Sequence, residues 1–453
     1  MRNKKWWVLL GTGIAGTIIA IDFSIVNTSL TPIQQELHAS ITELQWIING
    51  FGLFFVGFLV TSGRLSDLKG RRKFLYTSMI GFALASLGAG LAQSPGFLIA
   101  MRMLQGFTCS AIFPSGMAIT ARAFPEHQQN RALSIYGSLI GIGLAFGPVV
   151  GGLIVTIASW RWIFFINLPV ILISFAICLF VIEESKQSQA PPVDWIGVIS
   201  MVLCISGLLF VINESQTYGW LSMPVIIAAI VFITALVVFI VTEKRIAAPI
   251  IPFELLLNKG FLLGTITFVT GVSLSWAIIF IMPLYLHDSL GFTTGSVGLT
   301  LFAMTIMTVI TPAIAGHYYN LKGEKVVAHT LFFISVISLA LFTQLQTHGP
   351  LWLILITFIL FGSAWGISSG ISVPLGLSRL PDVENSGLVS GVMLTLMNLG
   401  GVIALALSTA FFNYGKQVSL VHAVHLVATF LIIIAIILWV IATVVLGVTK
   451  RNV

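Results

Sequence analysis

Two side chains stand where charge is expensive. Of the 22 basic and 15 acidic residues in the chain, Asp22 and Arg102 fall well inside long apolar runs, where a charge at the centre of a bilayer costs roughly 2.5–3.5 kcal/mol. Asp22 lies eight residues before Leu30 and Arg102 seven after Pro95. At about 1.5 Å per helical residue these are depths of about 12 Å and about 10 Å. The two are at similar depth and within reach of one cavity. One reading is a buried ion pair that holds two spans together. The other is a titrating site: desolvation raises a carboxyl pKa and a nearby guanidinium lowers it, so a change of access or pairing loads or releases a proton. A proton moving through about 100 mV supplies roughly 2.3 kcal/mol, enough to bias a carrier cycle.

Other side chains suit the wall of a cavity: Phe23, Asn27, Trp46, Gln105, Trp276, Trp365 and Asn398. Each is also of a type used for packing or for the aromatic belts at membrane interfaces. Cys109, Cys178 and Cys204 sit in apolar runs without CxxC spacing, which points to packing rather than to disulfides or metal. His422 and His425 share a helix face at i, i+3 but have no neighbouring carboxylate or Cys in the sequence. No metal and no cofactor is expected.

The elements that must position these groups are transmembrane helices. The sequence is 57% hydrophobic and only 8% charged, far below the charge a soluble surface needs. Apolar runs long enough to cross a bilayer recur throughout, and a run such as Phe430 to Trp439 lacks the alternation of a barrel strand. Reading between polar breaks predicts fourteen spans, near 6–30, 44–62, 74–93, 96–120, 131–155, 161–182, 194–213, 222–241, 261–286, 295–316, 326–345, 351–372, 387–412 and 426–448. The start, Met1 to Lys5 followed by an apolar run, reads as an uncleaved first span rather than a signal peptide.

An even count puts both termini on one side. With the N-terminus in the cytoplasm, 19 of the 22 basic residues are internal, including Arg2, Lys69, Lys73, Arg122, Lys186, Arg379, Lys450 and Arg451, as the positive-inside rule asks. The net charge of +7 is thus a matter of topology and does not point to nucleic acid.

The chain also carries an internal echo. Gly63-Arg-Leu-Ser-Asp67-Leu-Lys69-Gly70 follows the second span, and Gly316-His-Tyr-Tyr-Asn-Leu-Lys322-Gly323 follows the tenth. A second pair runs from Pro125-Glu126 to Leu133 and from Pro381-Asp382 to Leu388. Two loops matching in order suggest a duplicated six-helix unit. Residues 1–186 and 259–453 would be two bundles, with 187–258 an inserted helix pair. Repeats of this kind build many transporters, with the substrate site between the halves.

Several motifs resemble known signatures. Gly63-x-Leu65-x-Asp67-x-x-Gly70-Arg71-Arg72 resembles the inner-loop signature of the major facilitator superfamily, and Arg102-Met-Leu-Gln105-Gly106 its fourth-span signature. Gly143-Leu-Ala-Phe-Gly147-Pro148-Val-Val-Gly151-Gly152 resembles the antiporter pattern of that superfamily. Ile21-Asp22-Phe23 through Asn27 to Pro32, together with Trp46, resembles its fourteen-helix drug:proton antiporter family. The resemblance implies an all-α membrane fold of two six-helix bundles plus two helices. It also implies that Gly63, Asp67, Gly70, Arg71 and Arg72 form a conformational latch. The second-half loop departs from the pattern, lacking the Asp and the Arg pair.

The resulting expectation is a non-enzymatic, proton-coupled exporter of hydrophobic or amphipathic small molecules in the inner membrane. Its partners are protons, the bilayer and a small-molecule substrate. A carrier of the same fold for a lipid, siderophore or metabolite is the nearest rival. A membrane-embedded transferase would need outer loops with paired acids, whereas the expected outer loops hold only Glu36, Glu43, Glu214 and Asp288. A channel would need neither duplicated halves nor latch loops.

Overall fold

The computed structural model describes residues 4–185, 194–246, 249–347, 349–378 and 386–448. All regular structure among them is helical. Among the described residues, twelve stretches are helices long and apolar enough to cross a membrane. The expected basic residues Arg2, Lys186, Arg379, Lys450 and Arg451, and the Pro381-Asp382 part of the second echo, lie outside the described residues.

The first group of helices is α1 (Lys4–Ile25), α2 (Leu30–Leu37), α3 (Ile41–Lys69), α4 (Arg71–Gly90), α5 (Pro95–Ala123), α6 (Glu126–Ile157), α7 (Trp162–Phe165) and α8 (Asn167–Val181). Then come α9 (Trp195–Tyr218) and α10 (Met223–Glu243), followed by α11 (Lys259–Asp288), α12 (Thr294–Thr305), α13 (Met307–Phe342), α14 (Leu351–Leu377), α15 (Ser386–Lys416) and α16 (Leu420–Val448). Their ends follow ordinary capping rules. Ser40 and Glu43 form a capping box at the start of α3, and Ser94 caps α5, with Pro95 in the first turn where its missing N–H costs nothing.

The expected first span is not one continuous helix, because the backbone tightens into a 3-10 turn at Val26–Ser29 before α2. The echo at Gly70 and Gly323 has a backbone counterpart. Gly70 (φ 114°) separates α3 from α4, and Gly323 (φ 79°) interrupts α13 in the same left-handed region. A residue with a Cβ adopts that region at a cost.

Within the first group, α1 packs on α6, α8 and α5, and α5 packs on α3 and α4. In the second, α11 packs on α14, α15 and α16, and α13 on α14 and α16. The groups meet where α3 lies against α15 and α6 against α12, while α9 and α10 pair with each other and α9 seats on both α3 and α15. With lipid on the outside there is little hydrophobic drive between helices, so close backbone approach does the work. A Cβ at Gly106 would lie 2.1 Å from the Phe51 carbonyl, and one at Gly207 would lie 2.9 Å from that of Ala228. Two serine pairs, Ser62 with Ser110 and Ser115 with Ser66, also join α3 to α5 at 2.8 and 2.9 Å. The apolar residues left exposed, such as Ile226, Ile230 and Val237 on α10, are those a bilayer would cover.

Candidate functional site

Asp22 on α1 and Arg102 on α5 are the centre of the site. Both are almost fully buried, at 0% and 1% exposure. The Arg102 Nη1 donates to Asp22 Oδ2 at 2.5 Å and to Gln105 Oε1 at 2.8 Å, and its Nε donates to the Ile47 carbonyl at 3.2 Å. The other carboxylate oxygen, Asp22 Oδ1, accepts from Asn167 Nδ2 at 2.6 Å and from Gln105 Nε2 at 3.2 Å. Ser86 on α4 accepts from both amides, at 2.8 Å from Gln105 and 3.2 Å from Asn167. Five helices, α1, α3, α4, α5 and α8, thus contribute to one network around the carboxylate. A buried ion pair is tolerable only when its remaining donors and acceptors are satisfied in this way.

The guanidinium is also sandwiched by aromatics. It lies 4.5 Å from the Phe51 ring and 5.9 Å from that of Phe164. Phe51 in turn sits 5.8 Å from Phe23, and Phe23 sits 4.8 Å from Trp276 on α11. A contiguous row therefore runs from the ion pair to the second group of helices.

The remaining expected cavity residues fall in different places. Gln105 faces the ion pair rather than a cavity between the halves. Trp46 donates its indole N–H to Glu214 at 3.2 Å; next to it Gln45 donates to Asn213 at 2.8 Å, so this end of α3 holds α9. Asn27, in the 3-10 turn, bonds the Phe23 and Ser24 carbonyls at the end of α1. Asn398 bonds the Leu394 carbonyl, and Trp365 backs Gly271 on α11. Trp276 lies between the two groups of helices, against Gly52 on α3 and Gly401 on α15.

The glycine pattern of α6 has two faces. Cβ atoms at Gly143, Gly147 and Gly151 would strike Thr17, Ser24 and Thr28 at 2.5, 1.8 and 2.4 Å, so this stripe lets α6 lie against α1 and the adjoining turn, alongside the segment that carries Asp22. Gly152 instead abuts the backbone of Thr294 and Gly295 on α12, and a Cβ at Gly298 would come within 2.3 Å of the Pro148 carbonyl. Pro148 lies inside α6.

The expected inner loop is helical on both sides of Gly70, and there Arg71 Nε in the first turn of α4 donates to Asp67 in the last turn of α3 at 2.7 Å. A Cβ at Gly63 would lie 3.6 Å from Pro114, and Arg72 covers the Tyr76 ring at 5.4 Å. The anchor of this junction is Glu184, which sequence reasoning missed. Its carboxylate accepts from the backbone N–H groups of Arg72 and Lys73, both at 3.1 Å, and so caps the start of α4. A Cβ at Gly70 would meet that carboxylate at 2.7 Å. Beside it, the hydrogen bond from exposed Lys4 lowers the pKa of the Glu183 carboxyl.

Asn167 and Ser86 were missed as well. Uncharged polar residues are common in spans, and only the fold shows which of them meet a carboxylate. His425 bonds the Leu345 carbonyl and His329 accepts from Trp439, so both have structural partners.

Comparison with known proteins bears on the family and the fold. Residues 12–405 match the sequence profile described as Major Facilitator Superfamily. The tetracenomycin C resistance and export protein of Streptomyces glaucescens is 26% identical, covering 90% of this chain and 76% of that protein. The methylenomycin A resistance protein of Streptomyces coelicolor is 28% identical, with 90% and 87% covered. The riboflavin transporter of Clostridioides difficile is 26% identical, with 91% and 88% covered. A mutant of the nucleoside transporter NupG superposes with a TM-score of 0.70 over 97% of this chain and 99% of that one, at 13% identity, which bears on the fold alone. The chain belongs to the major facilitator superfamily and is a multi-pass membrane transporter, not an enzyme.

Proposed function

We propose that this transporter is a proton-coupled exporter of hydrophobic or amphipathic small molecules, an antiporter working by alternating access between two bundles. The observation that carries the proposal is the fully buried Asp22–Arg102 pair, joined through Phe51 and Phe23 to Trp276 across the boundary between the halves. Protonating Asp22 removes the charge that holds Arg102. The guanidinium then keeps the Ile47 carbonyl, Gln105 and the Phe51 face, and the aromatic row can shift. Relatives named for tetracenomycin C export and for methylenomycin A resistance support export of drug-like compounds.

Fourteen spans remain the reading that best fits the helices. Arg71–Gly90 is long enough to cross, although its first turn carries Arg71, Arg72 and Lys73. The 49-residue stretch Thr294–Phe342 is divided at Gly323 into two. On this reading residues 1–186 and 259–453 are the bundles, 187–258 the insert, and the face bearing Lys4, Arg71 and Lys244 is cytoplasmic in an inner membrane. The loop around Asp67, Gly70 and Arg71 acts as the latch, with Glu184 as its anchor.

A second reading, a carrier for a metabolite, is favoured by the riboflavin transporter among the relatives. Proteoliposomes with an imposed pH gradient, screened with cationic dyes, neutral antibiotics and flavins, test both. Gradient-driven movement of the first two out of the compartment equivalent to the cytoplasm is expected. Transport that ignores the gradient would reject the coupling, and transport of flavin alone would favour the second reading.

A further inference from the structure

Among the described residues three acidic side chains are buried. Asp22 is one. The other two, Asp194 and Glu243, meet at the basic face of the α9–α10 pair, each only 3% exposed. Asp194 Oδ1 accepts the Gly197 N–H at 2.8 Å and caps α9, while Glu243 Oε2 at the end of α10 accepts the Ile251 N–H at 2.9 Å. Their second oxygens, Asp194 Oδ2 and Glu243 Oε1, are both buried without a hydrogen-bond partner. They converge on one spot: a Cβ at Gly197 would lie 2.1 Å from Asp194 Oδ2 and 2.9 Å from Glu243 Oε1.

Two unpartnered acceptors facing each other are unfavourable when both are ionised, and one proton between them satisfies both. The surrounding charge fits a single proton. Arg64 on α3 faces the pair and donates to the Pro249 carbonyl at 2.8 Å. Lys244 and Arg245 just after α10 and Glu254 beyond the connection are exposed. Two carboxylates with one proton carry a single negative charge, which Arg64 balances; with no proton, one buried charge is left over.

We propose that Asp194 and Glu243 are a second protonation site, a carboxyl pair that holds one proton between Asp194 Oδ2 and Glu243 Oε1. The proton comes from water on the basic face and returns to it, with no other bond made or broken. In the protonated form the pair clasps the start of α9 to the end of α10. Through Glu243 Oε2 and Arg64 it also holds residues 249–251, which lead into α11. Loss of the proton sets two anions against each other and loosens that connection. The site stands apart from Asp22 and does not rest on proton coupling there.

Amide hydrogen exchange across residues 249–258 of the full-length protein in lipid nanodiscs, corrected for intrinsic pH dependence, tests the clasp. In the wild type, exchange is expected to quicken as pH rises through the titration of the pair. E243Q keeps the shape and donates an amide N–H to Asp194, so its exchange should stay slow at every pH. Infrared difference spectra between wild type and E243Q at neutral pH should show one protonated-carboxyl band lost, and D194N should lose the same band. D194N also serves as the exchange probe if E243Q does not fold. The same pH dependence in wild type and in whichever variant folds, or the absence of that band at a pH where the wild-type connection is protected, would overturn the proposal.

Discussion

At the scale of single residues, one carboxylate and one guanidinium dominate. Removing only Arg102 leaves Asp22 buried with amide donors alone, and breaking a buried pair from one side costs about 3–5 kcal/mol. Arg102→Ala should therefore fold poorly, with a clear fall in thermal unfolding temperature in detergent. Asp22→Asn is expected to be milder, since the amide still fits Gln105 and Asn167, yet gradient-driven transport should vanish while gradient-free substrate exchange persists. Combining Asp22→Asn with Arg102→Met should restore much of the stability lost in Arg102→Ala but no coupling. A double variant less stable than Arg102→Ala would show that the pair contributes more to the fold than its desolvation takes away. The two charges were legible in the sequence because charge inside an apolar run is rare. Asn167, Ser86 and Glu184 were not, since the first two resemble ordinary span residues and the third sits in a short loop after α8 that nothing in its composition marks. Gln105 was seen, but its partner was not.

At the scale of elements, glycines decide how closely helices approach. Gly147 accepts no Cβ beside Ser24, whereas a Cβ at Gly137, on the same helix, has nothing within 4 Å. Gly147→Val should push α6 off α1 at an overpacking cost of about 1–3 kcal/mol and reduce transport, while Gly137→Val should leave both near wild type. Equal effects at the two positions would remove the close-approach argument. For the latch, Glu184→Ala removes the cap on α4 and should slow the transport cycle with little change in substrate affinity, the same phenotype as Asp67→Asn. A selective loss of affinity at normal turnover would point instead to ligand contact. Most spans could be read from uninterrupted apolar runs, because each must satisfy its backbone hydrogen bonds internally. The 3-10 turn at Val26–Ser29 could not, since tertiary packing against α6 and α11, not local composition, selects it.

At the scale of the whole molecule, the order of motifs along the chain pointed to two bundles with an insert, but not to where the insert would sit. The seat of α9 on α3 depends on Gln45, Asn213, Trp46 and Glu214 meeting, a pairing 168 residues apart that no local pattern announces. The distribution of acids has a consequence for substrate choice. Among the described residues, Asp22 is the buried acid away from the span ends, and it is already matched by Arg102. Asp194 and Glu243 lie at the basic-face ends of α9 and α10, tied to Gly197 and Ile251. A dication entering a low-dielectric cavity needs more than one carboxylate to offset its lost hydration. A single acid that also carries the coupling proton cannot hold two charges. Monovalent lipophilic cations and neutral amphiphiles are therefore expected to be carried in preference to divalent cations of similar size and hydrophobicity. Competition between paired mono- and dicationic dyes in proteoliposomes measures this directly. Equal or tighter handling of the dication would mean that an acid outside the centre, such as Glu214 beside Trp46, turns into the cavity when the halves part.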